Sequence, residues 1–224
     1  MFKPILTADH NELHQVIKDL IAESRPNRDF YFMLSISTII VTLGIIENSI
    51  ITIIGGMVVA PLLSPLLVVG LATTTASKKS LRWILPNLLK AVLLIMLIAL
   101  TVSFLFDGDG SAMIDTFKPN LNMFMIAFAA GAGAAYAWIS KKVSAVITGI
   151  AISVSLLPPL VSAAIGISML SGDIISNSFA LFLINLLGII LSSIIVFLMF
   201  GIGTLQEEEE KVVSKETDGQ PGTE

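Results

Sequence analysis

The sequence predicts an all-α integral membrane protein: six transmembrane segments arranged as two inverted three-segment repeats, with the second and fifth helices interrupted by proline. Three observations carry that expectation. Only 13% of the residues are charged against 54% hydrophobic, whereas a domain with a water-facing surface has about 25% charged residues. From Phe30 to about Thr204 the chain is apolar almost throughout, interrupted by short polar stretches where loops belong. Prolines then recur at matching places: Pro65 lies nine residues after Gly56 in the second apolar segment, and Pro158 nine after Gly149 in the fifth.

Residues 1–28 are polar and mixed in charge, but Leu13, Val16, Ile17, Leu20 and Ile21 fall at helical spacing behind a capping-box pattern from Asp9 to Glu12. This predicts a cytoplasmic amphipathic helix, ended by Arg25-Pro26-Asn27-Arg28. The membrane domain is expected over 29–204. A helix needs about 20 apolar residues to cross a hydrocarbon core of roughly 30 Å, which places crossings near 30–46, 50–75, 81–106, 122–139, 143–170 and 178–203. The repeats are then about 29–106 and 122–204. Residues 205–224, with Glu207-Glu208-Glu209-Glu210 and little that is apolar, are expected to form a disordered acidic tail.

Lys and Arg near the ends of crossings favour the cytoplasm. Six crossings put Arg25, Arg28, Lys78, Lys79, Arg82, Lys141 and Lys142 on one side, and Lys118 with Asp107, Asp109, Asp115 and Asp173 on the other. Both termini are therefore expected in the cytoplasm, with the chain multi-pass in the cell (inner) membrane. Lys90, inside the third crossing, can snorkel to the headgroups.

A proline inside a helix removes one backbone donor and crowds the carbonyl four residues back. Lipid offers that carbonyl nothing, so broken backbone persists at membrane depth only against protein or beside a wet cavity. Pro61 with Pro65 and Pro158 with Pro159 therefore mark a candidate pathway, with Gly56, Ser64, Gly149, Ser153 and Ser155 beside them. Asn87 and Asn185 would support it, and Glu47 and Asn48 would form an extracellular mouth. Plainer readings stand beside these: prolines that only kink helices for packing, Gly55, Gly56 and Gly131-Ala132-Gly133-Ala134-Ala135 as close helix contacts, and Glu47 and Asn48 as a solvated loop. No ionisable residue falls at the expected midplane. That favours a small neutral solute, or an ion held by backbone oxygens.

Chemistry of other kinds finds no residues. Cysteine is absent, His10 and His14 lack a third metal ligand, and no phosphate-binding loop, nucleophile elbow or dinucleotide fingerprint occurs. No metal, cofactor or enzymatic activity is expected, and there is no basic face for nucleic acid.

The runs Gly44-Ile45-Ile46-Glu47-Asn48-Ser49 and Gly55-Gly56-Met57-Val58-Val59-Ala60-Pro61-Leu62-Leu63-Ser64-Pro65 are followed by Gly149-Ile150-Ala151-Ile152-Ser153-Val154-Ser155-Leu156-Leu157-Pro158-Pro159-Leu160 and by Leu181-Phe182-Leu183-Ile184-Asn185-Leu186. Together they resemble three signatures of the prokaryotic uncharacterised hydrophobic-domain membrane proteins, also called domain of unknown function family 389. The resemblance covers roughly 29–203, with Gly56 where the family usually has Ala. It implies a shared membrane fold and no established activity. The expected function is a transporter or channel for a small solute or ion at the repeat interface; the alternative is a non-transporting scaffold or stress-linked assembly factor. The expected partners are the lipid bilayer, the solute and a second copy of the chain as a homo-oligomer.

Overall fold

The computed structural model describes residues 10–106, 118–140 and 145–217, the side chains of 145–155 excepted. The described residues are helical, with no strand among them. In chain order the helices are α1 (His10–Glu23), α2 (Arg28–Ile46), α3 (Ile50–Val59), α4 (Leu63–Thr74), α5 (Lys78–Leu105), α6 (Leu121–Ser140), α7 (Ala145–Ser168), α8 (Gly172–Met199) and α9 (Gln206–Thr217), with a 3₁₀ turn at Ile202–Thr204.

Among the described residues four helices, α2, α5, α6 and α8, are long and apolar enough to cross a membrane, and α3 with α4 makes a fifth when the pair is counted as one bent span. Their outward faces are apolar as well. On α5, Leu85, Leu89, Leu93 and Leu97 recur every fourth residue and are 48–63% exposed. A belt of that kind is insoluble in water and at ease in lipid, so the chain is a membrane protein. α4 is the converse. Every residue from Leu63 to Ala72 is buried, as expected of a helix enclosed by others.

Three connections use one device. At the end of α2 the amide of Ser49 donates to Gly44 O (2.8 Å) and that of Asn48 to Ile45 O (3.0 Å). After α4, Ser77 and Ala76 donate to Ala72 O and Thr73 O; after α7, Ser171 and Leu170 donate to Gly166 O and Ile167 O. Asn48, Ala76 and Leu170 hold the left-handed φ that this C-cap needs (53°, 58° and 54°). Each serine is at once the last residue of one helix cap and the N-cap of the next helix. The turns are thus three residues long, and the helices they join run back along each other.

The helices run between two common ends. One end gathers α1, the α4–α5 turn and α9, where the Ser77 hydroxyl donates to Glu210 Oε1 at 3.1 Å. At the other, Ser103 Oγ and Ser168 Oγ lie 2.5 Å apart, bringing the last turns of α5 and α7 together. α6 and α8 lie side by side in the same direction: Gly188 abuts Phe124 and Phe128, Gly131 abuts Ile189, and the Tyr136 ring centroid is 6.1 Å from that of Phe200. Small residues permit this. A methyl group on Gly131 would lie 2.7 Å from Ile189 Cα. Between the halves, α5 packs on α7 and α4 on α8.

Two expectations are corrected. The fifth segment is not interrupted, because α7 continues through Pro158 and Pro159. Adjacent prolines deprive only the neighbouring carbonyls of Val154 and Ser155, within one turn, and both rings are buried among neighbouring helices. Nor is 205–224 disordered throughout. α9 folds over 206–217, with Glu207, Glu208 and Glu209 in its first turn and Lys215 in its last, charges that suit the helix dipole. Asp107, Asp109, Asp115, Lys141 and Lys142 lie outside the described residues.

Candidate functional site

The second segment does break. α3 and α4 meet at 57° across Ala60, Pro61 and Leu62. Pro61 disfavours helical geometry in the residue before it, and Ala60 is extended (φ −74°, ψ 119°). The Ala60 amide turns to Met57 O (3.1 Å) rather than to Gly56 O. The released Gly56 carbonyl is taken by the hydroxyl of Ser37 on α2, at 2.7 Å. Pro65 has a different part. It is the third residue of α4, where a helix leaves its amides without internal partners in any case, so it begins a helix rather than breaking one. Leu62, the N-cap of α4, offers no side-chain acceptor, and the break presents backbone groups at the start of a buried helix.

Beside the break lies a cleft of about 10 Å³ lined by Leu62 and Leu66 of α4, Leu88, Val92 and Ile95 of α5, and Leu156 and Leu160 of α7 with Phe182 of α8. The residues flanking both proline pairs therefore face one space. The lining is wholly apolar, and a cavity this small holds at most one water, which would find no polar partners.

The expected site residues divide. Pro65, Ser64, Pro158 and Pro159 are buried, and Pro61 half-buried, around the cleft region. Gly56 serves a contact instead: a methyl there would lie 2.7 Å from Val41 Cγ2 and 3.0 Å from the Val41 amide, so it is the close approach of α2 to α3. Gly149, Ser153 and Ser155 sit on α7, and their side chains lie outside the described residues. Asn87 does not reach across to the break; its Nδ2 donates to Trp83 O of its own helix at 2.9 Å. Asn185 is buried on α8. Glu47 and Asn48 are exposed, Glu47 as the C-cap of α2 and Asn48 as the left-handed residue after it.

A second polar centre was not visible as a motif. Glu209, on α9, is fully buried and accepts a hydrogen bond from the Thr75 hydroxyl at the end of α4. Burial pushes its carboxyl above the ordinary glutamate range and Glu210 adds to the rise, while the Ser80 and Thr75 hydroxyls oppose it. Lys79 bonds Ser214, and Arg25 Nε lies 2.6 Å from Glu216 Oε2. The one sequence signal was Leu205, Glu209 and Val213, a buried stripe every fourth residue with an acid in its middle.

A family model described as "Domain of unknown function (DUF389)" matches residues 57–191. An uncharacterised protein of Methanocaldococcus jannaschii is 30% identical over 200 residues, covering 85% of this chain and 59% of that one. The chain thus spans about three fifths of that relative's length. No solved structure matches it.

Proposed function

The chain belongs to the family described as domain of unknown function (DUF389), and from that premise we propose that it passes a small solute or ion across the membrane at the break in its second segment. The observation that carries this reading is the α3–α4 bend, with its displaced Gly56 carbonyl and the uncapped start of α4. Broken backbone persists at membrane depth where protein encloses it or where it lines a wet cavity, and interrupted segments of this kind form the solute sites of transporters. The present conformation is the closed one. The apolar cleft would widen by separation of α4 and α5 from α7 and α8.

Six crossings, with α3 and α4 as one and α7 as another, fit helices that run alternately between two common ends. The matching turns at Ala76 and Leu170, and the reciprocal packing of α5 on α7 and α4 on α8, support an inverted repeat. Lys78, Lys79 and Arg82 begin α5 at the end that also holds α1 and α9, which favours cytoplasmic termini in a cell membrane. The cleft has no charged lining residue, so the solute is uncharged where it passes, or an ion held by carbonyl oxygens.

The test is osmotic swelling of liposomes containing the purified protein, with glycerol and urea as probes. Entry is expected to be faster than into empty vesicles, and Pro61→Ala is expected to change the rate by about tenfold, the effect of roughly 1.4 kcal/mol on a barrier. Swelling equal to that of empty vesicles, or a folded Pro61→Ala protein with an unaltered rate, would refute the proposal. A second reading, a membrane scaffold, is favoured by one observation: α1 and α9 form a polar layer outside the bundle, with an open groove between them.

A further inference from the structure

We propose that the groove between α1 and α9 binds a phosphate-bearing anion with a small organic body. The groove encloses about 430 Å³, within the roughly 300–1,000 Å³ of small-molecule sites. Its nitrogen-bearing side chains come as two pairs, His14 and Lys18 from α1 and Lys211 and Lys215 from α9. In each pair the residues are four apart, one above the other on a single helix face. The two lysine charges of the α9 pair repel one another, and the Lys18 ammonium of α1 lines the same groove.

The two acids that also line the groove, Glu208 and Glu216, offset the three lysine charges only in part. Glu208 faces the His10 imidazole, Oε1 to Nε2 at 3.5 Å, and Glu216 is held by Arg25 at 2.6 Å. Both of those partners lie outside the lining. Among the described residues Lys18, Lys211 and Lys215 make no ion pair. Three ammonium groups against two carboxylates, one of them already paired with Arg25, leave the cavity an excess of positive charge, and a phosphate-bearing anion meets it through short, charge-assisted hydrogen bonds. Val212 and the lysine methylene stems supply an apolar surface for the organic body. The groove lies at the end of the bundle where the lysines and arginine of α5 begin, so the phosphate has two possible sources: a molecule free in solution, or the headgroup of an anionic lipid.

The experiment uses the full chain in nanodiscs. In one arm, discs of phosphatidylcholine are titrated calorimetrically with ATP and with pyrophosphate; in the other, retention of phosphatidylglycerol by the protein is measured by native mass spectrometry. Saturable binding in either arm supports the site and identifies the source. Lys18→Gln/Lys211→Gln/Lys215→Gln is expected to weaken it by at least about tenfold, Lys18→Arg/Lys211→Arg/Lys215→Arg to restore it, and Lys78→Gln/Arg82→Gln to leave it unchanged. Absence of saturable binding in both arms overturns the proposal. So does equal weakening by the Lys78/Arg82 variant, which would mean a diffuse attraction to the basic end of the bundle.

Discussion

Single side chains settle which of the expected polar groups act at the break and which act elsewhere. Ser37, unremarkable in the sequence, takes the carbonyl that Ala60 abandons, while Asn87, which looked like a brace, bonds its own helix. Polarity and position along the chain were legible; direction around a helix, and hence partner, was not. Glu209 is the sharper case. A tetrad of glutamates reads as a solvated run, and only the fold shows one of the four sealed against Thr75. Its carboxyl is raised, so the docked state holds a proton that the undocked state releases. Docking of α9 is therefore strongest below the ordinary glutamate range and weakens as pH rises through the raised value. The groups facing it are the Thr75 and Ser80 hydroxyls and the Glu210 carboxylate. Hydrogen exchange of the amides of 206–217 should accelerate with pH beyond its intrinsic pH dependence, and Glu209→Gln, neutral throughout, should remove the excess. An excess that persists in Glu209→Gln would assign the effect to another group.

For whole elements, hydrophobic length located the helices and proline marked where regularity was at risk, but proline count did not decide the outcome. One proline, Pro61, breaks a helix; Pro65 opens one; Pro158 and Pro159 are absorbed by one. Position within the turn explains Pro65, since a missing amide matters only where a carbonyl awaited it; at Pro158 and Pro159 two carbonyls do lose their donors, and α7 nevertheless continues with both rings buried. Spin labels at Ile51 and Thr73, both exposed, would span the bent pair. Pro61→Ala should lengthen the label distance as the pair straightens, and Pro65→Ala should leave it as in the parent. The same distance in both variants would mean that packing alone holds the bend. α9 was missed because its buried stripe is too sparse to register as amphipathic. Its docking depends on a few polar contacts with the α4–α5 turn and on Val213.

At the scale of the molecule, the all-helical membrane fold was legible from composition, since no soluble arrangement hides an apolar belt such as that of α5. Six crossings with both termini in the cytoplasm are the expectation from the alternation of charge in the loops, and the cysteine-free chain is suited to testing it. Single cysteines in place of Lys78 and Ser214 should react with an impermeant maleimide from one side of the membrane, and cysteines in place of Asn48, Lys118 and Asp173 from the other. Labelling of Lys118→Cys together with Lys78→Cys would remove the six-span arrangement.

The serine-closed turns have a mechanical consequence. Because one residue finishes a helix and starts its successor, neither partner can swivel without tearing both caps, and each hairpin behaves as a stiff lever. The stretch at Ala60–Leu62 has no such lock. Rearrangement of this bundle would concentrate its bending there, so the place where the second segment loses its ladder is also its joint.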